Sequence, residues 1–363
     1  MLRRSPVAVH KDLADLEKTL DNLQITEAGD FTARINRLSE YVLREIRALS
    51  KKGQQIAPEQ LTNVVFKGGI AEAKVLVAKL TAKVPTIVFL FDNIDKGWAT
   101  NGVDEFDVRL VRLLVESLEK VKRDLNVAGR QFVPVVFLRN DVYELLVDET
   151  PDRGKAAIVR IDWTDRAKLR QVIHRRLQAS ADEKDGFVSL WTRYFVPTVS
   201  DRDSFEYLVD HCLMRPRFLI NIIEYAVANA INRGHELVEA EDCTDAVRQH
   251  SNYLLNEFGY EIRDVSGLSA RLLHSLVGTT KYVTKSEVVE RFTRAKVENE
   301  HLERAFHLML WYGVLGVIAP SGLERYIYHF EYSMNRLEAE IDTQRDEPLY
   351  VINPAMHVAL QST

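Results

Sequence analysis

The chain has 363 residues, which is long enough for two or three domains that each bury a hydrophobic core. Its formal net charge of −5 provides no overall attraction to nucleic acid or to an anionic membrane, so such binding needs a local basic patch. The two cysteines, Cys212 and Cys243, are too few for a disulfide framework or a cysteine-type zinc site, which predicts a cytoplasmic protein. No apolar run reaches the about 18 residues of a membrane span, so no membrane partner is expected.

Residues 1–59 are predicted to form helices that pack on the following domain. Apolar residues repeat there at steps of three and four, first from Leu13 to Leu23 and then from Phe31 to Leu49. A helical hairpin that recruits a partner coiled coil is the alternative interpretation. Both stretches are short for a sustained coiled coil, so packing on the chain's own core is favoured.

Residues 60–165 alternate between strands and helices. The segments TIVFLF (86–91) and FVPVVFL (132–138) are continuous apolar runs, as expected of strands buried on both faces, and an amphipathic helix separates them. A third short strand is predicted at 157–163. Strand, crossover helix and strand form the pattern of a parallel α/β sheet.

Polar residues follow both of these strands. Ligands of parallel α/β sheets bind at the carboxyl ends of strands, where the sequence places Asp92 and Asn140. Mg²⁺ prefers hard oxygen ligands, so Asp92 at the tip of a buried strand predicts a magnesium site. Asp95, three residues later, is a candidate for contacting a metal-bound water or polarising an attacking one. The alternative is that both aspartates only cap the loop and the following helix.

The rest of the chain divides into two regions. Residues 166–262 predict helices alone, an all-helical lid in which Gly234 ends one helix. Residues 263–363 predict three helices and a β-hairpin around a Pro-Ser-Gly turn, which together make a winged helix-turn-helix domain. The second of these helices should begin at Thr284, because Glu287 stands at the capping-box spacing from it.

The order of these segments resembles the AAA+/STAND division of P-loop ATPases. IVFLFDNID is similar to their Walker B strand, FLRND to their sensor 1 strand and RPRFLI to the start of their lid helix. The words LFDNIDKGW, FLRNDVYE, RPRFLI and INPAMHVAL most resemble a group of bacterial ATPases found near mobile-element and phage-defence genes. The resemblance covers roughly residues 60–363. It implies the α/β class, with a partial parallel P-loop NTPase core, an all-helical lid and a winged helix-turn-helix domain.

The resemblance also implies ATP and Mg²⁺ as cofactors, with Asp92 as the metal-binding residue. Arg139 or Asn140, at the tip of the sensor 1 strand, would then contact the γ-phosphate. Arg215 and Arg217 flank a proline that suits the first turn of a helix, and one of them would act as the sensor 2 arginine.

Two departures from the family pattern limit these expectations. Asn93 stands where many members have a catalytic glutamate, and an asparagine can orient water but cannot take its proton, so slow turnover used as a switch is expected. The phosphate loop G-x-x-x-x-G-K-[ST] is missing. Either the chain is a fragment whose phosphate loop lies upstream of Met1, or it is a nucleotide-dead relative. The fragment is favoured because Asp92, Asn140 and the arginine pair are retained.

The sequence therefore predicts an ATP-dependent switch of a bacterial antiviral defence system, an ATP hydrolase if the phosphate loop lies upstream and otherwise a pseudo-ATPase. It would bind nucleotide and associate with itself or with a protein partner. The alternative is a winged-helix module that binds DNA or protein without ATPase activity. Its basic candidates are Arg291, Arg294, Lys296 and Arg325. The acidic start of the third helix, ENEHLE, opposes contact with DNA phosphates.

Overall fold

The chain divides into two compact units, one of residues 1–155 apart from 100–102, and one of residues 156–363 with 100–102. The computed structural model describes residues 71–81, 84, 86–94, 105–127, 131–140, 142–143, 146, 159, 161–344 and 347–362, and isolated residues between 11 and 47. These isolated residues are helical, which agrees with the helices predicted there. How the predicted N-terminal helices pack lies outside the described residues.

The fully bounded elements among the described residues of the first unit are two helices and two strands. They are α1 (Ala71–Leu80), β1 (Thr86–Phe91), α2 (Glu105–Val127) and β2 (Gln131–Val136). The strands pair in parallel with Thr86 opposite Gln131 and Phe91 opposite Val136, and α2 packs against β2. The parallel pairing is the one that the α/β pattern predicts, because a long helical connection separates the strands. The assignment of this unit to a P-loop core stays a prediction.

The described residues of the third predicted strand do not lie in a strand. Val159 and Ile161–Trp163, the described residues of 157–163, have no regular secondary structure. Val159 is 88% exposed and Ile161 is 72% exposed, so these side chains are not buried between layers as the strand prediction required. Trp163 instead packs against the core of the second unit. Apolar composition alone was therefore a misleading signal at this position.

The second unit begins with five helices. They are α3 (Arg166–Ala181), α4 (Phe187–Tyr194), α5 (Ser204–Asp210), α6 (Pro216–Arg233) and α7 (Ala240–Ser266), and a short hairpin, β3 (Thr198–Val199) with β4 (Arg202–Asp203), precedes α5. Gly234 ends α6 with a left-handed φ of 75°, as predicted. Among the described residues, no helix is both long enough and apolar enough to cross a bilayer.

The last hundred residues combine helices with a four-stranded sheet. The elements are a 3₁₀ turn (Leu272–Leu276), β5 (Tyr282–Thr284), α8 (Lys285–Arg294), α9 (Leu302–Trp311), β6 (Leu315–Ile318), β7 (Glu324–Arg325), α10 (Met334–Asp342), β8 (Leu349–Ile352) and α11 (His357–Leu360). The predicted capping box forms, since Thr284 and Glu287 each accept a hydrogen bond from the other's backbone amide.

The sheet differs from the simple hairpin that the sequence predicts. Its order is β5-β8-β6-β7, and β8 pairs antiparallel with both β5 and β6. The predicted second strand of the hairpin ends at Arg325, because Ile327–Phe330 form a 3₁₀ turn and Glu331 and Tyr332 have left-handed φ values. The predicted hairpin does form between β6 and β7, with Val317 opposite Arg325 and Ile318 opposite Glu324, and the β7–β8 connection that carries α10 shortens its second strand. The winged-helix assignment stays a prediction.

The predicted boundary at 262/263 does not separate two cores. Helix α7 runs through it to Ser266, and one continuous cluster of buried apolar residues extends from Leu169 to Leu360. The C-terminal segment returns to α7, where the amide of Ala359 donates a buried hydrogen bond of 3.0 Å to Ser251 Oγ. The helical region and the region with the sheet therefore form one packed body.

Helix α7 also approaches the following segment closely at Gly259. A Cβ atom built on Gly259 would lie 2.1 Å from the carbonyl oxygen of Ala270, far inside a normal contact. Only glycine permits this approach of two backbones without a shift of one of them. The sequence alone gave no indication of it, because an isolated glycine in a helical pattern ordinarily only weakens the helix.

The middle of α7 buries a histidine that has no hydrogen bond. His250 is fully buried, and neither ring nitrogen has a partner. Its ring contacts those of Phe218 and Tyr253, at centroid distances of 5.3 and 5.8 Å. Burial, and to a lesser degree the neighbouring His211, lowers the pKa of His250 to about 3, so the imidazole is neutral in the folded protein.

His250 predicts a loss of stability in mild acid. In the unfolded chain the pKa of His250 is near 6.5. As pH falls from 6.5 towards 3, the unfolded state therefore binds a proton at His250, whereas the folded state does not. We expect about 2 kcal/mol to be lost at pH 5 relative to pH 7.5 from this group. His250→Leu should remove that part of the pH dependence in urea unfolding of the whole chain.

The matched control is His301→Leu, because the His301 side chain is 40% exposed. This variant should keep the wild-type loss of stability between pH 7.5 and pH 5. An equal acid-induced loss in His250→Leu and in the wild type would show that His250 does not cause it.

Candidate functional site

The parallel register brings the carboxyl ends of β1 and β2 to one edge of the sheet. Phe91, the last residue of β1, pairs with Val136, the last residue of β2. The amide of Phe137 donates a hydrogen bond of 2.9 Å to the carbonyl of Phe91, so the strands stay together for one further step. Asp92 follows directly after β1, and Asn140 follows the end of β2 by four residues. Asp92 and Asn140, the residues predicted at the strand tips, therefore follow strands that end at the same edge of the sheet.

Asp92 and Asn93 form a sharp turn after β1. The amide of Asn93 donates a 2.9 Å hydrogen bond to Asp92 Oδ1, and Asn93 has a left-handed φ of 54°. Asparagine tolerates this conformation better than most residues. Both side chains are exposed, so the Asp92 carboxylate is accessible to a cation, as a magnesium ligand must be. Ile94, next in the chain, is buried at 4% exposure, and Asp95 lies outside the described residues.

Arg139 and Asn140 stand at the start of a short helical segment after β2. The carbonyl of Arg139 accepts a hydrogen bond of 3.0 Å from the amide of Tyr143, and Asn140 itself is helical. Arg139 is exposed and Asn140 is half-buried. An amide at such a position can hydrogen-bond a ligand oxygen or an ordered water, which is the chemistry that a phosphate contact needs.

Arg215, in the second unit, is engaged in packing. Its guanidinium carbon lies 5.1 Å from the ring centroid of Phe218 and 4.9 Å from that of Phe258. Its Nη1 lies 3.5 Å from Glu261 Oε2, and its side chain is 28% exposed. Burial raises the pKa of Tyr332, although a hydrogen bond with Arg215 acts in the opposite direction. These contacts give Arg215 a structural role that links α6, α7 and the segment before α10.

Arg217 has a different environment from its neighbour. It occupies the second position of α6, after Pro216 at the predicted first position, and its side chain is exposed. Within the part of the chain that the structure describes, it has no ion pair. A cation at a helix start lies near the amides that favour anions, so Arg217 is the better placed of the two arginines for a phosphate.

Three of the four basic residues predicted for nucleic acid have protein partners. Arg291 donates hydrogen bonds to the carbonyls of Val277 and Gly278, both at 3.0 Å, and a longer one to that of Ser275. Arg294 pairs with Glu290 one turn earlier in α8. Arg291 therefore holds the chain that leaves the 3₁₀ turn, because those carbonyls have no helical partner.

The other two candidates differ from each other. Arg325 lies 3.5 Å from Glu340 and 4.3 Å from the ring centroid of Phe330, so it ties β7 to α10. Lys296 is exposed, has a left-handed φ of 63° and makes no ion pair with any described residue. The four residues thus do not form one patch of unpaired cations of the kind that DNA phosphates attract.

The exposed side of α9 is flanked by acidic groups and by α10. Lys285 Nζ lies 2.6 Å from Glu303, and His307 Nε2 lies 3.0 Å from Glu338 of α10. A helix that enters the major groove needs its outward face free for base edges. Here Glu303 and His307 on that face remain exposed, and the carboxylates of Glu303 and Glu338 make the face acidic, which does not suit DNA phosphates.

A second polar cluster, which sequence reasoning missed, lies at the start of α7. Asp242 is fully buried and accepts hydrogen bonds from Arg233, from His235 Nδ1 at 2.8 Å and from the amide of Glu239. Burial acts to raise the pKa of Asp242, but these donors outweigh it and the pKa is lowered. Ligand atoms of His235, Glu241 and Asp242 lie within 4.8 Å of one another, a spacing compatible with a metal ion. Since Asp242 is satisfied by protein donors, the cluster is a helix start rather than a metal site.

Comparisons with known proteins match parts of the chain. Residues 167–259 match the family model described as the FunZ-associated C-terminal helical domain, a range close to the predicted lid of 166–262. Over 233 residues the chain is 22% identical to a protein of Escherichia coli (strain K12) named "Putative transposon gamma-delta 80.3 kDa protein". The match covers 62% of this chain and 32% of that relative, so the chain spans about a third of the relative's length. No solved structure matches.

The hydrogen bonds that Arg291 donates to backbone carbonyls predict that removing its side chain lowers the stability of the fold. Arg291→Ala leaves carbonyls of the 275–278 segment without their donor, and we expect a loss of about 1–3 kcal/mol of unfolding free energy. Arg294→Ala is the matched control from the same helix. Its ion pair with Glu290 is exposed, so the expected change is below about 0.5 kcal/mol.

Urea unfolding of both variants, followed by circular dichroism, measures the difference. A weakened affinity for duplex DNA in Arg291→Ala, with unchanged stability, would instead mean that this side chain contacts phosphate.

Proposed function

We propose that this chain is the C-terminal part of a bacterial, mobile-element-linked ATPase that works as a slow nucleotide switch. The first unit supplies the metal-binding and γ-phosphate-sensing ends of two parallel strands. The second unit supplies the helices and the winged-helix-like region that respond to the bound nucleotide. ATP and Mg²⁺ are its cofactors when a phosphate loop outside residues 1–363 completes the site, and the protein acts in the cytoplasm.

The observation that carries the proposal is the common edge of β1 and β2. Asp92 follows one strand and Asn140 the other, and the Asp92 carboxylate faces solvent. A carboxylate and an amide that follow the carboxyl ends of two paired parallel strands support a magnesium-nucleotide site. Asn93 supports slow turnover, since its amide can orient a water but cannot accept the water's proton. Asp95 and Arg139 are the further residues proposed to act on the attacking water or the γ-phosphate.

The second unit supports a switch that moves as a whole. One hydrophobic core extends from Leu169 to Leu360, so separating the helices from the sheet region would expose buried apolar surface. A nucleotide-dependent change is therefore proposed to move this unit as a single body. Arg217, exposed at the start of α6, is the arginine proposed to sense phosphate, and Arg215 positions α6 through its aromatic neighbours.

The link to mobile elements rests on the comparisons. The relative in E. coli is described as a transposon protein, and the domain match names FunZ. Neither description names an ATPase. Antiviral defence, which the sequence resemblance implied, is part of the proposal on that resemblance alone.

A second candidate function is a binding module that uses the last hundred residues without nucleotide. The acidic face of α9 favours a protein partner over DNA for such a module. DNA binding through Lys296 and Arg294 predicts measurable affinity for duplex DNA at low salt, falling steeply as salt rises. No binding at low salt eliminates the DNA form of this candidate.

The nucleotide proposal is tested in two steps. The purified chain of residues 1–363 should bind Mg-ATP more weakly than micromolar, because a phosphate loop supplies much of the affinity. A protein that includes in-frame upstream coding sequence with a phosphate loop should hydrolyse ATP slowly. Asp92→Ala should abolish that turnover, since the metal loses its protein ligand.

The control variant is Asp124→Ala, which changes an exposed aspartate of α2 in the same unit. It should retain wild-type turnover, and both variants should keep the wild-type circular dichroism spectrum. Micromolar Mg-ATP binding by residues 1–363 alone, or full turnover in Asp92→Ala, would contradict the proposed site.

A further inference from the structure

Helix α3 is strongly basic, although the chain as a whole has a net charge of −5. It contains no acidic residue, and its basic residues are all exposed. They are Arg166, Lys168, Arg170, Arg175 and Arg176. Acidic residues ordinarily occupy the first turn of a helix, because its amide end is positive. Arg166 and Lys168 instead add cations to that end, which lowers the stability of the helix and strengthens its attraction for anions.

Two of these cations share the face of α3 that points away from the core. Leu169 and Ile173 are buried and define the inward face of the helix. The helical repeat places Lys168 and Arg175 on the opposite side with Gln171 between them, and all three are exposed. Lys168 and Arg175 are two turns apart, which is about 10 Å along the helix axis. The outward face of α3 is therefore polar and cationic.

The carboxylates of α5, which lies beside α3, are already paired with arginines. Glu206 lies 2.6 Å from Arg166 and 2.6 Å from Arg170. Asp210 pairs with Arg166 and with Arg202 of β4. Three arginines thus face two carboxylates, so this network keeps a positive excess. It also holds Arg166 and Arg170 on one flank of the outward face.

The cations of the outward face itself are not neutralised by a neighbour. Within the part of the chain that the structure describes, no carboxylate forms an ion pair with Lys168 or Arg175. Asp165, just before the helix, uses its carboxylate to cap the amide end of α3. On the other flank Arg176 lies 4.0 Å from Glu224 of α6, and both side chains are more than half exposed, so this pair is weak.

We propose that the outward face of α3 binds the phosphate backbone of duplex DNA without reading its sequence. Lysine and arginine neutralise phosphates, and the amide of Gln171 can donate a hydrogen bond to a phosphate oxygen. The distance between the two cations is close to the width of the major groove, about 12 Å, so Lys168 and Arg175 reach phosphates on both of its sides. Helix α3 has no phenylalanine, tyrosine or tryptophan to stack on bases, as proteins that bind single strands do.

Other anionic partners fit this face less well. A helix that binds a membrane inserts apolar side chains, and Leu169 and Ile173 of α3 are instead part of the core. A stable protein interface usually has an apolar centre, whereas Lys168, Gln171 and Arg175 are all polar. The proposed contact requires no nucleotide, and it is separate from the winged-helix candidate.

The first test measures the fluorescence anisotropy of a labelled DNA duplex, starting from about 50 mM salt. Residues 1–363 should bind, and the affinity should fall steeply as salt rises. The double variant Lys168→Ala/Arg175→Ala should bind about tenfold or more weakly, with a salt slope lower by about two, because two phosphate contacts are lost. The matched control is Arg294→Ala/Lys296→Ala, which removes two exposed cations of the same unit and should bind as the wild type does.

The second test changes Gln171, which lies between the two cations and is exposed. Gln171→Lys should tighten binding and raise the salt slope by about one, because it adds a phosphate contact. Gln171→Glu, which has nearly the same shape, should weaken binding because it adds a negative charge. A gain of affinity cannot come from a damaged fold, and every variant should keep the wild-type circular dichroism spectrum.

Three outcomes overturn the proposal. The first is the absence of binding to duplex DNA at low salt. The second is binding that the Lys168→Ala/Arg175→Ala variant does not weaken, or that the control variant weakens equally. The third is tighter binding to anionic phospholipid vesicles or to polyglutamate than to duplex DNA, with the same dependence on Lys168 and Arg175. That result would assign the face to a membrane or to an acidic protein.

Discussion

The burial of α7 is the constraint on which the second unit depends. Cys243, Ala246, Leu254, Phe258 and Ile262 of this helix have no exposed surface. Helix α6 packs along α7, and the 3₁₀ turn at Leu272–Leu276 and the C-terminal helix α11 contact it as well. The buried residues of α7 recur at steps of three and four along its whole length, so elements that are distant in sequence must cover one long apolar stripe. The hydrogen bond from Ala359 to Ser251 is one result of that closure.

Features that depend on neighbouring residues were predictable from the sequence. The capping box at Thr284, the left-handed Gly234 and Pro216 at the first turn of α6 all form as expected, because each needs only residues within one helical turn. The parallel pairing of β1 and β2 followed from the helix between them. Strand β8 was not predicted, because its place between β5 and β6 is decided by pairing across long stretches of chain. The same limit applies to the boundary at 262/263, since no local signal reports that two regions share a core.

The candidate site likewise has features that the sequence predicted and features that only the fold determines. That the strands before Asp92 and Asn140 end at one sheet edge follows from strand direction, which the sequence pattern contained. The sequence pattern did not predict which groups the arginine side chains contact. Arg215 and Arg217 are equally basic and two residues apart, yet one is enclosed by aromatic rings and the other is exposed. The Arg291 guanidinium likewise donates its hydrogen bonds to backbone carbonyls. A positive charge in a sequence identifies a group that attracts anions, and only the fold decides whether a protein group has already satisfied it.

The two units differ in how completely their apolar surface is buried, and this difference bears on where a ligand or partner can act. The second unit buries its aromatic and aliphatic residues in one cluster, so opening it is costly. In the first unit Val88 and Leu90 are more than half exposed, and an isolated pair of strands has little stability of its own. A magnesium nucleotide that binds the folded form of the first unit at the strand ends stabilises that form by mass action. The helices and the sheet of the second unit share one core, so a nucleotide-dependent change is proposed to leave them packed together.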